Sequence, residues 1–508
     1  MSFLNFLEKI NILCFNIPME IILIVNTFIC IFIGLANKQI KIKSKGQWIV
    51  REFKNISLIS KYMLLLYAVI FFIWIWLGFN SKNFTTFETL NNTIISNPFI
   101  FFIKMLILIF TSIYFLLVLI SYEKDKLYSF EYSIIISFIS IALLLLISVN
   151  DFLTFFLLME LQGLSLFVLC AYLQKKNSAI EAGLKYFIVG AVSTGFLLFG
   201  ISLIYGATGT ILFNDIAILE SGYSNMFKLG FIFIFVALFF KLTAAPFHLW
   251  GPDVYEGAPT TFIAYLATLP KIVIIALSIR ILDLIQMDNE FFIFCINFFI
   301  IIGLFTIFFG ILGAYWQTKI RPFIFYSSMA NIGYILLTIG TTLHTDTWIR
   351  LSYSVSIFLF IYAITLFIIF FILCYLYNIS TKQHLRYLHE LSGLGKSKTG
   401  LAIILSIAFF SLMGIPPLAG YFSKFYLIEN LVNSEAYFVS LLFLLFSVIG
   451  TVYYLRVIKL LFFDKKNTVF LGVITPILSI ILVVLTTILL VFWYYTDLLY
   501  LIFIFFFM

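Results

Sequence analysis

Charge is scarce in this chain: only 11% of its 508 residues are Asp, Glu, Lys or Arg, against 63% hydrophobic ones. A water-soluble fold cannot be covered with so little polar surface, so apolar side chains must face lipid as well as one another. Cysteine is sparser still. Cys14, Cys30, Cys170, Cys295 and Cys374 stand singly in or beside apolar runs, without the paired spacing of a zinc site or an iron–sulfur cluster, and membrane packing accounts for them. No Gly-rich phosphate loop, dinucleotide fingerprint or haem-attachment motif is present. Any electron carrier therefore belongs to a partner chain. The first residues form neither an Arg-rich amphipathic presequence nor a small-residue cleavage site, so Met1 onward is expected to be mature chain.

What fills the sequence is apolar runs separated by short polar breaks. They lie near 18–36, 58–79, 99–121, 130–149, 152–173, 184–205, 227–246, 258–282, 291–314, 322–341, 348–377, 401–431, 437–463 and 471–492. Most exceed the roughly 18 residues that a membrane-crossing helix requires. The pattern predicts an all-α polytopic membrane protein of about fourteen spans, one helical bundle rather than several soluble domains. Heavy use of Phe, Ile, Tyr, Asn and Lys fits an AT-rich genome, mitochondrial or bacterial.

A formal charge of +8 would hint at nucleic acid in a soluble protein; here the placement of the positive residues gives a different meaning. Lys38, Lys41, Lys43, Lys45, Arg51 and Lys54 share the first connection. Alternate connections then hold Lys124 and Lys126, Lys175 and Lys176, Lys319 and Arg321, Lys382 with Arg386, Lys396 and Lys398, and finally Lys459, Lys465 and Lys466. The opposite connections are acidic or nearly bare. Under the positive-inside rule one frame accounts for every loop only if the span count is even and both termini lie on the non-cytoplasmic or intermembrane side.

An ionisable residue at mid-span costs roughly 2.5–3.5 kcal/mol on insertion scales, so each needs a reason. Glu160 lies in NDFLTFFLLMELQGLSLFVLC, Lys185 at the start of the next run, Lys241 in FIFIFVALFFKLTAAPFHLW, Lys271 in IAYLATLPKIVIIAL and Lys424 in SLMGIPPLAGYFSKFYL. Snorkelling to an interface is the plain alternative for a membrane lysine, and it is the reading for Lys104, a few residues from an outer loop. Proline separates Lys241 and Lys424 from that alternative. Pro246 has no N–H for the carbonyl of Leu242, and Pro416 and Pro417 interrupt the helix before Lys424. Carbonyls and water freed at a break can solvate a lysine that lipid would reject, and paired interruptions point to a transport site at the bilayer midplane. His248, with an ordinary pKa of about 6.5, is a candidate to continue a proton path; a structural histidine bonded to backbone at the helix end is the alternative. The loop GPDVYEGAPT carries Asp253 and Glu256, expected to be solvated turn charges. Tyr326, Ser327, Ser328 and Asn331 are candidates to order water in the tenth span, with plain packing of membrane hydroxyls as the alternative.

The strings MELQGLSLFVL, EAGLKYFIVGAVSTGFLLFG, FKLTAAPFHLWGPDVYEGAPT, ATLPKI and GIPPLAGYFSKFYL resemble, in order and spacing, the antiporter-like subunit 2 of respiratory complex I, from about Val149 to Phe463. The resemblance implies two inverted five-helix repeats, spans four to eight and nine to thirteen, with interrupted seventh and twelfth helices. It divides the chain into 1–129, a three-helix region; 130–284 and 285–466, the two repeats; and 467–508, a last span. It further implies that Glu160 pairs with Lys241, that Lys185 and Lys271 extend a hydrated axis, and that Lys424 holds the twelfth-helix position. Lysine rather than glutamate there, and the absence of a long lateral helix after the core, set the chain apart from subunits 4 and 5. The implied setting is a mitochondrial inner membrane, or a bacterial plasma membrane. Subunits 4 and 4L are the implied neighbours, and NAD, FMN, iron–sulfur clusters and ubiquinone are carried by partner chains. A multisubunit cation/proton antiporter and a structural anchor of a redox complex are the competing readings.

Overall fold

The computed structural model describes residues 18–37, 41–44, 47–50, 53–80, 87–89, 93–121, 130–174, 176–217, 225–285, 289–341, 345–378, 383–464, 470–471 and 476–495. Cys14, Lys38, Lys45, Arg51, Lys124, Lys126, Lys175, Lys382, Lys465 and Lys466 lie outside the described residues.

Helices dominate. They are α1 (Pro18–Asn37), α2 (Phe53–Asn80), α3 (Pro98–Ser121), α4 (Glu131–Leu146), α5 (Phe152–Cys170), α6 (Asn177–Thr208), α7 (Asn225–Leu242), α8 (Thr260–Asp283), α9 (Asn289–Trp316), α10 (Ile320–Ile339), α11 (Thr345–Tyr375), α12 (Thr399–Met413), α13 (Ala419–Asn433), α14 (Tyr437–Phe462) and α15 (Pro476–Val491). Among the described residues ten helices are long and apolar enough to cross a membrane, and four more are shorter apolar helices. Every apolar run of the sequence overlaps one of these helices, and the run 401–431 overlaps two. Helix α6 begins at Asn177, ahead of its apolar run, because its first turns carry polar residues such as Glu181 that hydropathy passes over while the backbone pattern continues. Short antiparallel strand pairs, Lys41–Ser44 with Gln47–Val50 and Phe87–Thr89 with Ile94–Ser96, sit in the connections.

The chain divides into two compact units, one holding nearly all of α1–α5 together with residues 211–214, the other holding α6–α15. In the first, α2 packs along α3, and α1 along α4, where a Cβ on Gly34 would stand 2.3 Å from the Phe130 ring. Asp151 starts α5: its Oδ2 accepts the Thr154 N–H at 3.0 Å, satisfying a donor the first turn would otherwise leave open. Glu20 and Lys104 form a buried ion pair at 2.6 Å, their side chains about 5% and 6% exposed, and the ammonium lies 5.8 Å from the Trp74 ring centroid. Lys104 therefore does not snorkel as its sequence position predicts. A carboxylate 84 residues away in the chain replaces the water it would have sought.

In the second unit the centre is formed by α8, α10 and α11, whose apolar windows are 100%, 94% and 94% buried, whereas those of α6 and α14 are 33% and 28% buried. The peripheral helices present leucine, isoleucine and phenylalanine outward, as a lipid-facing surface requires. Helices α6 and α7 approach at a pair of glycines: a Cβ on Gly200 would lie 2.6 Å from the Gly230 carbonyl oxygen, and one on Gly230 would lie 2.8 Å from that of Gly200. The segment GPDVYEGAPT differs from its expected form. Its first seven residues make a short helix, Gly251–Gly257, with Pro252 in the first turn where its missing N–H leaves no helical bond unmade.

Candidate functional site

The two helix interruptions sit in the second unit and share one construction. Helix α7 stops at Leu242 and Thr243 turns to φ +61°; α12 stops at Met413 and Gly414 turns to φ +84°. Beyond the first turn the Ala244 N–H donates to Phe239 O at 3.0 Å and the Thr243 N–H to Phe240 O at 3.3 Å. Beyond the second, the Ile415 N–H donates to Phe410 O at 3.3 Å and the Gly414 N–H to Ser411 O at 3.0 Å. Both are Schellman caps, in which a left-handed residue lets two late N–H groups return to the last carbonyls. Proline then prevents resumption: Pro246 and Pro417 each stand three residues past the left-handed one, so Leu242 and Met413 are the carbonyls left without a helical N–H. A threonine at φ +61° is costly, by about 1–3 kcal/mol, and is held only where the surroundings impose it.

Those two carbonyls are satisfied differently. The Thr243 hydroxyl donates to Leu242 O at 2.5 Å. Met413 O accepts the ammonium of Lys424, Nζ to O 2.9 Å, so the break supplies the lysine with an acceptor inside an apolar bundle. The ammonium also lies 5.4 Å from the Tyr334 ring centroid, and among the described residues no carboxylate pairs with it. Lys271, on α8, is 2% exposed and donates to Ser328 Oγ on α10 at 3.0 Å. Asn331, one turn along the same helix, donates to Ser327 O at 3.0 Å and reaches the Tyr454 hydroxyl at 3.4 Å. Lys271 is thus held in the buried centre by a hydroxyl, and Lys424, half-buried on α13, by a carbonyl at the break.

The remaining residues of the predicted series are placed elsewhere. Lys185 is 42% exposed and bridges Glu181 Oε1 at 2.7 Å and Asp253 Oδ2 at 2.6 Å. Asp253 and Glu256 are exposed, as expected of solvated charges, and each is also ion-paired, Glu256 with Lys319 at 2.5 Å; Arg321 donates to Glu256 O at 3.0 Å and Ala258 O at 2.9 Å. His248 is buried between the breakpoint and the short helix, its ring 5.6 Å from that of Phe309 and 6.3 Å from that of Tyr326. Lys241 occupies the last turn of α7, half-buried, immediately before the interruption. Glu160 belongs to the first unit, half-buried on α5 beside the outward row Leu153, Leu157, Leu161 and Leu164.

Two polar groups close to Lys271 and Lys424 escape sequence reading. Tyr362 is embedded in SIFLFIYAITLFIIFF, where one hydroxyl barely alters the hydropathy, and Ser411 reads as an ordinary membrane serine. The available signal was spacing: Tyr362 and Thr365 lie three apart, on one helical face of an otherwise apolar segment.

Comparison with known proteins places this geometry. A family model described as NADH:quinone oxidoreductase/Mrp antiporter, TM matches residues 149–450, a stretch containing both interruptions and every intramembrane charge of the predicted series. This chain belongs to that family. Among relatives of this NADH:quinone oxidoreductase/Mrp antiporter protein, NADH-quinone oxidoreductase subunit N of Paramagnetospirillum magneticum is 35% identical over 397 residues, 75% of this chain and 78% of its own length. NADH-ubiquinone oxidoreductase chain 2 of Oenothera berteroana is 38% identical over 387 residues, 74% of this chain and 76% of its own. The fold is also that of a chain in the structure of respiratory complex I from Thermus thermophilus with bound aureothin (TM-score 0.76, 23% identity, 94% of this chain and 98% of that one). It is shared by a chain of the Mrp complex from Dietzia sp. (TM-score 0.77, 16% identity, 95% of each).

Proposed function

We propose that this chain is the proton-translocating, antiporter-like membrane-arm subunit of a respiratory NADH:ubiquinone oxidoreductase, equivalent to chain 2 or subunit N. The observation that carries the proposal is identity of 35–38% over about three quarters of proteins with those names. The buried Lys271 and the half-buried Lys424, the latter on a carbonyl exposed by a helix break, support the same reading. Redox chemistry on NAD, FMN, iron–sulfur clusters and ubiquinone takes place in partner subunits, and this chain moves protons within lipid. Its neighbours are the other membrane-arm subunits, including subunits 4 and 4L. It lies in a mitochondrial inner membrane, with about fourteen spans in two inverted five-helix repeats and both termini on the intermembrane side.

The mechanism follows from the electrostatics of buried ions. An ammonium withdrawn from water gives up its proton more readily, and a nearby carboxylate reverses that tendency. At an effective dielectric of about 20 a unit pair attracts by about 4 kcal/mol at 4 Å and about 2 kcal/mol at 8 Å. Drawing Glu160 away from Lys241 is therefore comparable to moving one charge through roughly 100 mV. One such step drives a proton transfer but does not overcome a large membrane potential alone. Several coupled sites are needed. In this reading Lys241, Lys271 and Lys424 carry the proton in turn, Glu160 modulates Lys241, and Lys185 and His248 connect the series to the aqueous side.

Gentle detergent extraction, native electrophoresis, an in-gel NADH-oxidation stain and mass spectrometry of the band test the assignment. Co-migration with a very large NADH-oxidising assembly is expected. A small redox-silent band containing other antiporter-like chains would instead establish a cation/proton antiporter subunit.

A further inference from the structure

Lys271 and Lys424 lie on different helices, and α11 is in touch with the surroundings of both. The Tyr362 hydroxyl donates to Ala267 O at 3.3 Å, one helical turn before Lys271 on α8, and it neighbours the Ser328 hydroxyl that accepts the Lys271 ammonium. The same Tyr362 side chain lines a cavity whose other polar walls are Asn331, Thr365, Ser411, Ser423 and Lys424. The cavity has room for about one water molecule. Ser411 supplies an independent indication of what it holds. The residue is 1% exposed and lines the cavity, and its hydroxyl has no hydrogen-bond partner among the described residues; a buried hydroxyl is costly unless something bonds to it.

We propose that the Tyr362 hydroxyl is the group through which a proton passes between Lys271 and Lys424, with a water in the Ser411-lined cavity completing the link. The inference rests on the proton-translocating reading above and deepens it by naming the connection between two of its lysines. The transfer leaves the phenol unchanged. A proton leaves Lys271 Nζ for the Ser328 oxygen as the Ser328 proton passes to the Tyr362 oxygen, and the phenol's own proton, turned away from Ala267 O, passes to the cavity water. That water gives one of its protons to neutral Lys424, so one amine is deprotonated, the other protonated, and both hydroxyl carriers are restored. Tyr362 suits this role because its rigid ring reaches from the α8 backbone to the cavity, and phenylalanine would keep that shape without the hydroxyl. Asn331, a turn beyond Ser328 on α10, borders the same cavity and orients the water without itself carrying the proton.

The test measures protons moved per NADH oxidised by the assembled complex reconstituted in sealed vesicles, for Tyr362→Phe, Thr338→Val, Lys271→Ala and Lys424→Ala. The expected result is a normal amount of assembled complex for Tyr362→Phe, a ratio reduced as far as in the lysine variants, and a wild-type ratio for Thr338→Val, which removes a buried hydroxyl of α10 that bonds Ile335 O and does not line the cavity. Lysine variants that lose pumping beside a Tyr362→Phe enzyme of wild-type ratio overturn the link and leave the proton-translocating reading standing. Unchanged pumping in the lysine variants removes that reading, and the link with it. Ser411→Ala provides a second route where Tyr362→Phe assembles poorly: it deletes a hydroxyl that has no partner among the described residues, so a lowered ratio supports the water link and a wild-type ratio overturns it.

Discussion

Glu20 and Lys104 show how a single distant partner changes the meaning of a residue. Viewed along the chain, Lys104 is a lysine near a loop with a short path to water; in the fold its ammonium is 2.6 Å from Glu20 and almost wholly enclosed. Removing one member strands the other charge in an apolar setting, at a cost of about 3–5 kcal/mol, whereas removing both leaves a neutral contact of similar shape. Lys104→Met and Glu20→Leu are each expected to lower the thermal stability of the assembled protein markedly, and the double variant to recover most of the loss. Additive losses in a thermal-shift measurement would show that the two side chains act independently. Lys241 and Lys424 were easier to find because proline in the same string marks a helix break beside each, and at the second break Met413 O accepts the Lys424 ammonium. Tyr362 and Ser411 were not, since one hydroxyl in an apolar helix acquires significance only from what faces it across the bundle.

At the scale of helices, apolar length and proline position made most of the architecture legible: every predicted run overlaps a helix, and both interruptions fall at Pro246 and Pro416–Pro417. What the sequence left hidden is close approach, because a glycine in a membrane helix has the same letter whether it faces a backbone or lipid. Gly200 faces the Gly230 carbonyl at a distance no side chain tolerates, while Gly195 and Gly206 of the same helix have open space around the position of a Cβ. Alanine raises helix propensity at all three sites, so packing alone separates them. Gly200→Ala is expected to cost about 1–3 kcal/mol by forcing α6 from α7, reducing the yield of assembled complex, with Gly195→Ala and Gly206→Ala at or above wild-type yield. Equal yields for all three would contradict the close α6–α7 contact. The short helix Gly251–Gly257 was missed for a different reason: its Gly, Pro and Asp are turn formers locally, and the ion pairs to Lys185 and Lys319 that accompany the helical form come from remote segments.

For the whole molecule, the proposed direction across the membrane rests on the alternation of basic and acidic connections along the sequence. Cysteine placed at Lys396, exposed in a basic connection, is expected to react with an impermeant thiol reagent only from the matrix or cytoplasmic side. Cysteine placed at Asn433, exposed at the opposite end of α13, should react only from the other side. Reversed labelling would invert the topology. Within that frame, proton translocation distributed over several intramembrane charges is the central claim. It is tested most directly by the number of protons moved per NADH in the assembled, reconstituted complex carrying Lys241→Ala or Glu160→Ala. A clear fall in the ratio, with the complex still assembled and oxidising NADH, is the predicted result; a wild-type ratio in either variant would contradict the account.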